Sequence, residues 1–400
     1  MSSRLRFLTA GESHGPALTA ILEGMPAGLA LAPADIDPDL ARRQGLGANG
    51  HPYPGASARM GIEHDAVEIL GGVLTGLTTG APIALLVWNR DHHAWKGRAI
   101  EPLGVPRPGH ADLAAAVKYG YRDLRLGLER ASARETAARV AVGAICRKLL
   151  AEFGIRVGSY VSAIGGVSAV LSAMSLEERL EAAAASDLKC PNATAAAKMA
   201  ARLREIARAG DTAGGVLEVI ALGVPPGLGS HVHWDRRLSG RLGGALLSIP
   251  GVKGVEIGEA FETAGRPGSE AHDEIALAAS GSGLTRPTNR AGGLEGGITN
   301  GQPIILRAAM KPIATTRTKV RSVDLATGET KPAGYERSDT CAVPRAAVVG
   351  EAMVSIVLAD ALVEKLGGDS MTEMRPRYQA LRHMRLEDVP VGGHPALFWP

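Results

Sequence analysis

The chain has 400 residues, of which 45% are hydrophobic and 21% are charged, with a formal net charge of +3. That length and apolar content are typical of a globular protein with a large core. The small net charge and the 4% of aromatic residues argue against a nucleic-acid binder, which would show a basic stripe with stacking aromatics.

No apolar run approaches the ~18 residues of a membrane span. The N-terminus lacks the long apolar region of a signal peptide. The three cysteines are far apart and odd in number, so neither a disulfide framework nor a zinc knuckle is expected. We therefore expect a cytoplasmic protein with no membrane and no nucleic-acid partner.

Glycine and arginine are both over-represented. The chain has 51 Gly, and 34 of its 44 basic residues are Arg. Clustered glycine indicates tight turns and close approach of the backbone to a ligand, and arginine suits bidentate binding of carboxylate and phosphate. A GC-rich genome would give the same arginine bias, so composition alone leaves both explanations open.

In chain order, the pattern predicts a strand "LRFLT", a strand in 18–29 that ends in a Pro-Gly turn, and a short helix "PADIDPDLARR". A strand pair around a Gly-rich turn follows (71–87), and then a long helix (133–153). A β-rich stretch "IRVGSYVSAIGGV" leads to two helices, the second capped by Asn192. Mobile loops are expected at 44–57, at 263–283 and in a C-terminal tail, 369–400.

Part of this pattern occurs twice. Residues 18–29 resemble 217–228, 71–87 resemble 292–308, and 133–144 faintly resemble 344–355. The order is kept, which indicates two copies of one unit, near 17–150 and 216–366. Strands come in pairs instead of alternating with helices, which favours an α+β fold in one body.

The stretch "ERASARET" (129–136) has the S-x-x-E spacing of a capping box, which predicts that a helix begins at Ser132. Arg130 and Arg134 flank that start, where the helix dipole is already positive and favours anions. The two guanidinium groups are therefore unexplained by helix formation alone.

Five Gly- or Pro-stiffened turns carry polar residues at the ends of predicted elements. They are "AGESHGPA" with His14, "PRPGHAD" with Arg107, His110 and Asp112, "DLARRQG" with Arg43, "AAMKPIATTRTK" with Lys311, and "ERSDTCAVPRA" with Arg337 and Asp339.

Each turn has a plainer interpretation. His14 could be a surface histidine, Asp112 and Asp339 could cap helices, the Arg42-Arg43 pair suits a helix C-terminus, and "KPIATT" could be an edge strand. Together the turns favour a buried site for a polyanion, with histidine and aspartate handling protons. The pairs His92-His93 and His231/His233 lack partners at metal-ligand spacing, so no metal site is expected.

The motifs "GESHG", "RPGHAD", "ERASARET", "KGVEIG", "NRAGGLEGGITNGQPI", "MKPIATT" and "RSDTCAVP" together resemble the chorismate synthase family, in order and over nearly the whole chain. The resemblance implies a β-α-β sandwich-like α+β body built from two intertwined repeats, and a homotetramer. It implies a lyase that eliminates phosphate from 5-enolpyruvylshikimate 3-phosphate in an anti-1,4 sense. That family needs reduced FMN and closes the shikimate pathway.

The resemblance also assigns roles to residues. His14, His110 and Asp339 match the catalytic residues: His14 protonates the departing phosphate, His110 lies near flavin N1, and Asp339 relays the proton from N5. The matching flavin contacts are Arg130, Ala131, Ser132, Pro250, Gly251, Gly296, Lys311, Pro312, Ile313, Ala314, Thr315 and Arg337. The matching substrate or NADP contacts are Ser13, Arg43, Arg59, Arg107 and Arg134.

The chain departs from the family pattern in two places. Asn49 stands where the family has a second loop arginine, and Arg59 is the nearest substitute. Pro250-Gly251 replaces a small pair that contacts the flavin, which allows backbone contacts only. Two alternative functions stay open: a bifunctional enzyme that also reduces its FMN with NADPH, and a non-catalytic flavin- or anion-binding relative. The sequence does not decide whether the chain reduces its own FMN with NADPH, because it shows no Gly-rich dinucleotide fingerprint after a strand.

Overall fold

The computed structural model describes residues 4–45, 53, 64–279, 281–335, 338–389, 391–393, 395 and 398. The strands are β1 (Arg6–Ala10), β2 (Ala17–Glu23), β3 (Val67–Gly71), β4 (Val73–Leu74), β5 (Leu77–Thr78), β6 (Ile83–Trp88), β7 (Arg156–Ile164), β8 (Val167–Ser168), β9 (Gly215–Leu222), β10 (Val252–Ile257), β11 (Ala276–Leu277), β12 (Leu284–Thr285), β13 (Leu294–Glu295), β14 (Ile298–Thr299), β15 (Ile304–Met310), β16 (Arg321–Val323) and β17 (Thr330–Pro332).

The helices are α1 (Asp37–Gln44), α2 (His92–Trp95), α3 (Asp112–Tyr119), α4 (Arg125–Ala131), α5 (Thr136–Ala151), α6 (Leu176–Ala184), α7 (Ala193–Arg208), α8 (Leu238–Leu247), α9 (Ala260–Thr263), α10 (Gly268–Ala271), α11 (Val343–Leu366) and α12 (Met371–Gln379). Short 3-10 turns occupy Pro33–Asp35, Ala133–Glu135, Trp234–Arg236 and Leu386–Asp388.

The first sheet is antiparallel, with strand order β1-β2-β6-β3. Strand β2 alternates: Leu18, Ala20 and Leu22 are buried, whereas Ile21 and its other neighbours face outward. This period of two means that only one face of the sheet is covered by the core.

The second sheet is also antiparallel, in the order β10-β15-β9-β7-β8. Its central strand β9 is buried on both faces, which explains why its sequence is apolar apart from Glu218. Helix α11 packs on one face of β7 and β9. On the other, Tyr160, Ile220 and Leu222 form a smaller cluster with side chains of α6.

The long helices α5 and α11 lie between the two sheets. Helix α5 packs against β2 and β6, α11 packs against β7 and β9, and the two helices pack on each other. They approach most closely where Gly143 of α5 meets Ala352 of α11. The result is a sheet–helix–sheet α+β sandwich, which confirms the expected fold class.

Helix α11 is apolar on all sides because it is enclosed by the core. It is long and apolar enough to cross a membrane by length and composition, but 94% of its apolar window is buried inside the protein. The expectation that no apolar run approaches the length of a membrane span was therefore wrong for α11. Burial on every side explains the composition without a membrane.

One carboxylate inside α11 belongs to a buried ionic cluster. Both oxygens of Glu351 accept hydrogen bonds from Arg42 Nη2 at 2.5 and 2.7 Å, and Ser159 Oγ donates at 2.6 Å. Lys189 Nζ lies 3.8 Å away. Burial alone would raise the pKa of Glu351, but these cations, with Arg42 foremost, lower it to about 2.

The two stretches that resemble each other in sequence contain corresponding elements. Strand β2 pairs with β6 in the first stretch, β9 pairs with β15 in the second, and a long helix follows each pair. The duplication itself stays a prediction.

Several local expectations need correction. The tail was expected to be loop, but α12 spans Met371–Gln379 and buries Met371 and Met374. The expected loop 263–283 contains α10 and β11. Most of the expected loop 44–57 lies outside the described residues. Asn192 does cap α7, with its side-chain oxygen accepting from Ala195 N at 2.9 Å.

The capping-box prediction at Ser132 was only half right. Ser132 Oγ accepts a hydrogen bond from Arg134 N at 3.3 Å, but it caps a 3-10 turn, and the α-helix begins at Thr136. Glu135 does not reach back, because its carboxylate pairs with Arg139 at 2.8 Å.

Candidate active site

A cavity of about 880 Å³ lies where the N-terminal ends of α5 and α11 converge. The positive end of each helix dipole lies at this cavity, which favours bound anions. Its walls are the turn after β1, helix α2, the 106–111 segment, the end of α4, the turn before β10 and the residues that follow β15.

Nearly all the residues singled out in the sequence border this one cavity. They are Ser13, His14, Arg43, Arg107, His110, Arg130, Ala131, Ser132, Arg134, Pro250, Gly251, Lys311, Pro312, Ile313, Ala314, Thr315 and Asp339.

Three positions are exceptions. Gly296 does not border the cavity; it lies in the turn between β13 and β14, where a Cβ would come within 3.8 Å of His231 Cβ. Arg59 and Arg337 lie outside the described residues, as does Asn49.

His14 is held on several sides. Its Nδ1 lies 2.7 Å from Glu129 Oε1, and its backbone N donates to Glu129 Oε2 at 2.8 Å. The indole ring of Trp95 lies 4.3 Å from the imidazole, centroid to centroid. His14 is therefore a fixed wall of the cavity and not a free surface histidine.

His110 and Arg107 share one carboxylate, that of Asp112. Arg107 donates to it through Nε at 2.8 Å and Nη2 at 3.0 Å, and His110 Nδ1 lies 2.5 Å from Asp112 Oδ1. Burial would raise the pKa of Asp112, but hydrogen bonds from His110 and Arg107 hold it well below its usual range. Asp112 therefore does not cap α3, as the plainer interpretation had it, because its carboxylate turns back into the site.

Asp65, which sequence reasoning missed, binds two of the predicted substrate arginines. Its carboxylate accepts from Arg134 Nη1 at 2.6 and 2.8 Å and lies 3.4 Å from Arg43 Nη1. Burial lowers the pKa of Arg43 to about 10, against the opposing effect of Asp65. No motif in "GIEHDAV" signals this role, since it depends on which distant arginines pack beside it.

Asp339 faces the cavity from the segment before α11. Arg345 Nη1 lies 2.9 Å from its Oδ2, and the buried Tyr53 hydroxyl lies 3.4 Å from the same oxygen while donating to Cys341 O at 2.7 Å. Helix α11 has no side-chain cap at its start, at Ala342, so the cap interpretation of Asp339 was wrong.

Arg130 lies in the last turn of α4, a helix that the sequence did not predict. A cation at a helix C-terminus is favourable, which removes the apparent conflict with the dipole of α5. Its guanidinium donates to Gly11 O at 3.1 Å and Thr9 O at 2.9 Å, so it ties the His14 turn to α4.

Among the described residues that border the cavity, cations outnumber carboxylates by eight to three. The cations are Arg43, Arg98, Arg107, Arg130, Arg134, Arg139, Lys311 and Arg345, and the carboxylates are Asp91, Glu135 and Asp339. Asp65, Asp112 and Glu129 lie behind this lining and hold five of its members: Arg43, Arg134, Arg107, His110 and His14. The surface that a ligand meets therefore favours anions.

No cluster of three or more potential metal ligands occurs within the described part of the chain.

The fold and this cavity define an α+β enzyme with a large anion-binding site that contains two oriented histidines. The chorismate synthase family model matches residues 5–363. Curated chorismate synthases from Aquifex aeolicus and Pelobacter propionicus are each 53% identical to the chain and cover 94% of it, matching 96% and 98% of their own lengths. A crystal structure of a chorismate synthase superimposes with a TM-score of 0.75 at 46% identity, covering 94% of this chain and 96% of its own.

The chain belongs to the chorismate synthase family. It is thus an enzyme, a lyase of the shikimate pathway that acts on a small-molecule substrate, in a family that uses a flavin.

Proposed function

We propose that the cavity binds 5-enolpyruvylshikimate 3-phosphate together with reduced FMN, and that its side chains catalyse the anti-1,4-elimination that yields chorismate and phosphate. The observation that carries this proposal is the convergence of His14, His110 and Asp339 with a cationic lining in one cavity.

The residues present fit two anionic ligands. A volume of about 880 Å³ is near the upper end of the ~300–1,000 Å³ common for single-ligand pockets. Gly251 borders the cavity with a φ of +86°, a left-handed conformation that favours glycine. Arg130 to Ser132 and Lys311 to Thr315 provide donors along the same wall.

In this proposal the arginines bind the substrate. Two carboxylates and a phosphate need several guanidinium donors, and Arg43, Arg107 and Arg134 are already oriented by Asp65 and Asp112. Pre-oriented donors in a site that excludes water stabilise developing negative charge without reorganising during the reaction.

Protons are handled by three side chains. His14 donates a proton to the departing phosphate, and His110 holds a proton beside the cofactor ring. Asp339, held by Arg345, takes up the proton that leaves the substrate carbon. Reduced FMN, when bound, supplies electron density transiently as the phosphate departs.

The direct test is anaerobic incubation of the purified chain with reduced FMN and 5-enolpyruvylshikimate 3-phosphate. We expect chorismate and phosphate in equal amounts, and no product would refute the proposal. His14→Ala should lower the rate by about 10²–10⁴-fold, the usual contribution of a general acid. An arm with NADPH and oxidised FMN tests whether the chain also reduces its own flavin.

We infer further that the enzyme is a cytoplasmic homotetramer. Support comes from the outer face of the first sheet, which exposes Leu8 (77%), Leu70 (61%) and Trp88 (52%). Exposed apolar patches of this kind mark protein–protein contacts. Light scattering coupled to size exclusion should give four times the 41.4 kDa chain mass, and a monomer mass would contradict the inference.

A further inference from the structure

Glu129, in the last turns of α4, makes three contacts with the turn that carries His14. Oε1 lies 2.7 Å from His14 Nδ1, Oε2 accepts from His14 N at 2.8 Å, and the backbone carbonyl accepts from Ser13 N at 3.1 Å. The side chain of Glu129 is only 15% exposed. A single residue thus anchors both the ring and the backbone of His14.

The carboxylate determines which ring nitrogen carries the hydrogen. Burial raises the pKa of Glu129, but hydrogen bonds from the His14 ring and backbone and the nearby charge of Arg125 bring it below its usual value. An ionised carboxylate only accepts hydrogen bonds. Nδ1 of His14 must therefore carry a hydrogen, which leaves Nε2 as the atom that exchanges a proton with a bound molecule.

The remaining contacts restrict the ring further. Trp95 packs on it at an interplanar angle of 40°, and His92 Nδ1 lies 2.9 Å from the His14 carbonyl oxygen. The other charged or titratable groups around it are Glu12 beside it in the chain, Asp91 and Arg98 on either side of helix α2, and Arg125 and Arg130 on α4. Glu129 alone is in ion-pair contact with the imidazole among the described residues.

We propose that Glu129 is a positioning residue for His14: it fixes the Nδ1–H tautomer and the ring orientation, and it stabilises the imidazolium that donates to the leaving phosphate. This inference rests on the proposed function of His14. Asp112 Oδ1 also lies 2.5 Å from Nδ1 of His110, but there Arg107 Nη2 lies 3.0 Å from the same nitrogen. The site therefore contains two carboxylate–histidine pairs, and the contacts of His14 leave its Nε2 for chemistry.

The test is Glu129→Gln, which keeps the size of the side chain but removes its charge. We expect the single-turnover rate of phosphate release to fall about 10- to 100-fold, within the ~10²–10⁴-fold available to a general acid, while the KM for substrate changes less than about twofold. A loss of rate with little change in KM separates an effect on proton transfer from a loss of substrate binding.

A double-mutant cycle separates positioning from general stability. In a His14→Ala background, Glu129→Gln should cost almost nothing further, because its effect acts through the imidazole. A matched control is Glu152→Gln, which removes an ion pair with Arg375 outside the cavity and should leave rate and KM unchanged. An equal loss in both backgrounds, or a loss that appears in KM and not in the rate, would overturn the inference.

Failure of the proposed function is distinguishable, since wild-type protein would then release no phosphate at all. Should Glu129→Gln fail to fold, the wild-type enzyme labelled with ¹⁵N-histidine answers the question. The signals of His14 are identified by their loss in His14→Ala. They must show the Nδ1–H tautomer when the imidazole ring is neutral. An Nε2–H tautomer would overturn the inference.

Discussion

The closest approach of α5 and α11 makes Gly143 the residue on which the packing of the two central helices depends. A Cβ added at Gly143 would lie 2.5 Å from Ala352 Cα and 2.9 Å from the Ala352 carbonyl carbon, and closer still to its Cβ. Carbon atoms in contact prefer about 3.5–4.0 Å. Gly143→Ala therefore forces the helices roughly 1 Å apart, because the atoms in its way are helix backbone and not a flexible side chain.

The magnitude follows from two opposing effects. Overpacking in a rigid core costs about 1–3 kcal/mol, and backbone contacts put this case at the upper end. Replacing glycine by alanine inside a helix returns about 1 kcal/mol. We expect Gly143→Ala to lower the free energy of unfolding by about 2 kcal/mol.

The chain offers a matched control in Gly244, an exposed residue of α8. A Cβ there would meet no atom within 4 Å, so Gly244→Ala should raise the free energy of unfolding by up to about 1 kcal/mol. Ala352→Gly in the Gly143→Ala background should restore part of the lost free energy of unfolding. It removes the Ala352 methyl group, which clashes with the new Cβ at position 143. Both comparisons need urea unfolding at one fixed protein concentration, with equal m-values. A Gly143→Ala protein as stable as Gly244→Ala would refute the reasoning.

Three other substitutions test the charged groups. Asp112→Asn removes the shared acceptor of Arg107 and His110, so kcat/KM should fall by at least about 10-fold in the anaerobic assay. Lys311→Ala removes an ammonium from the cavity wall, and anaerobic flavin titration should show reduced FMN binding weaker by roughly 10- to 100-fold, as for the loss of a charged hydrogen bond. Glu351→Gln should lower the free energy of unfolding at pH 7 by about 3 kcal/mol, since its folded pKa of about 2 lies well below its usual 4.5.

The pH dependence of Glu351 has a definite sign. A folded-state pKa below the unfolded value stabilises the fold above about pH 4.5, and that stabilisation is lost as the pH falls toward about 2. Wild type should lose free energy of unfolding across that window, whereas Glu351→Gln should lose less. Identical slopes for the two proteins would contradict the assignment. Glu152→Gln serves again as the control, because its ion pair is partly exposed.

Much of the fold could be predicted because its signals are local. Hydrophobic periodicity predicted helix α7 and its Asn192 cap. The Gly-rich turns predicted strand pairs that include β6 and β15. Nearly every site residue that the motifs and the family resemblance identified also borders the cavity. Each of these depends on turn chemistry, caps or hydrophobic period over a few neighbouring residues.

The candidate site residues could be recognised in the sequence, whereas their partners depend on the tertiary structure. Arg134 is held by Asp65, 69 residues earlier, and His14 is held by Glu129, 115 residues later. Such pairs depend on how the sheets and central helices pack, and no local pattern encodes them. The same packing placed Arg130 at the end of α4 and left Gly296 outside the cavity. Sequence motifs thus indicated the candidate residues, and long-range packing set their geometry, because a buried charge must be paired with a counter-charge that the fold brings beside it.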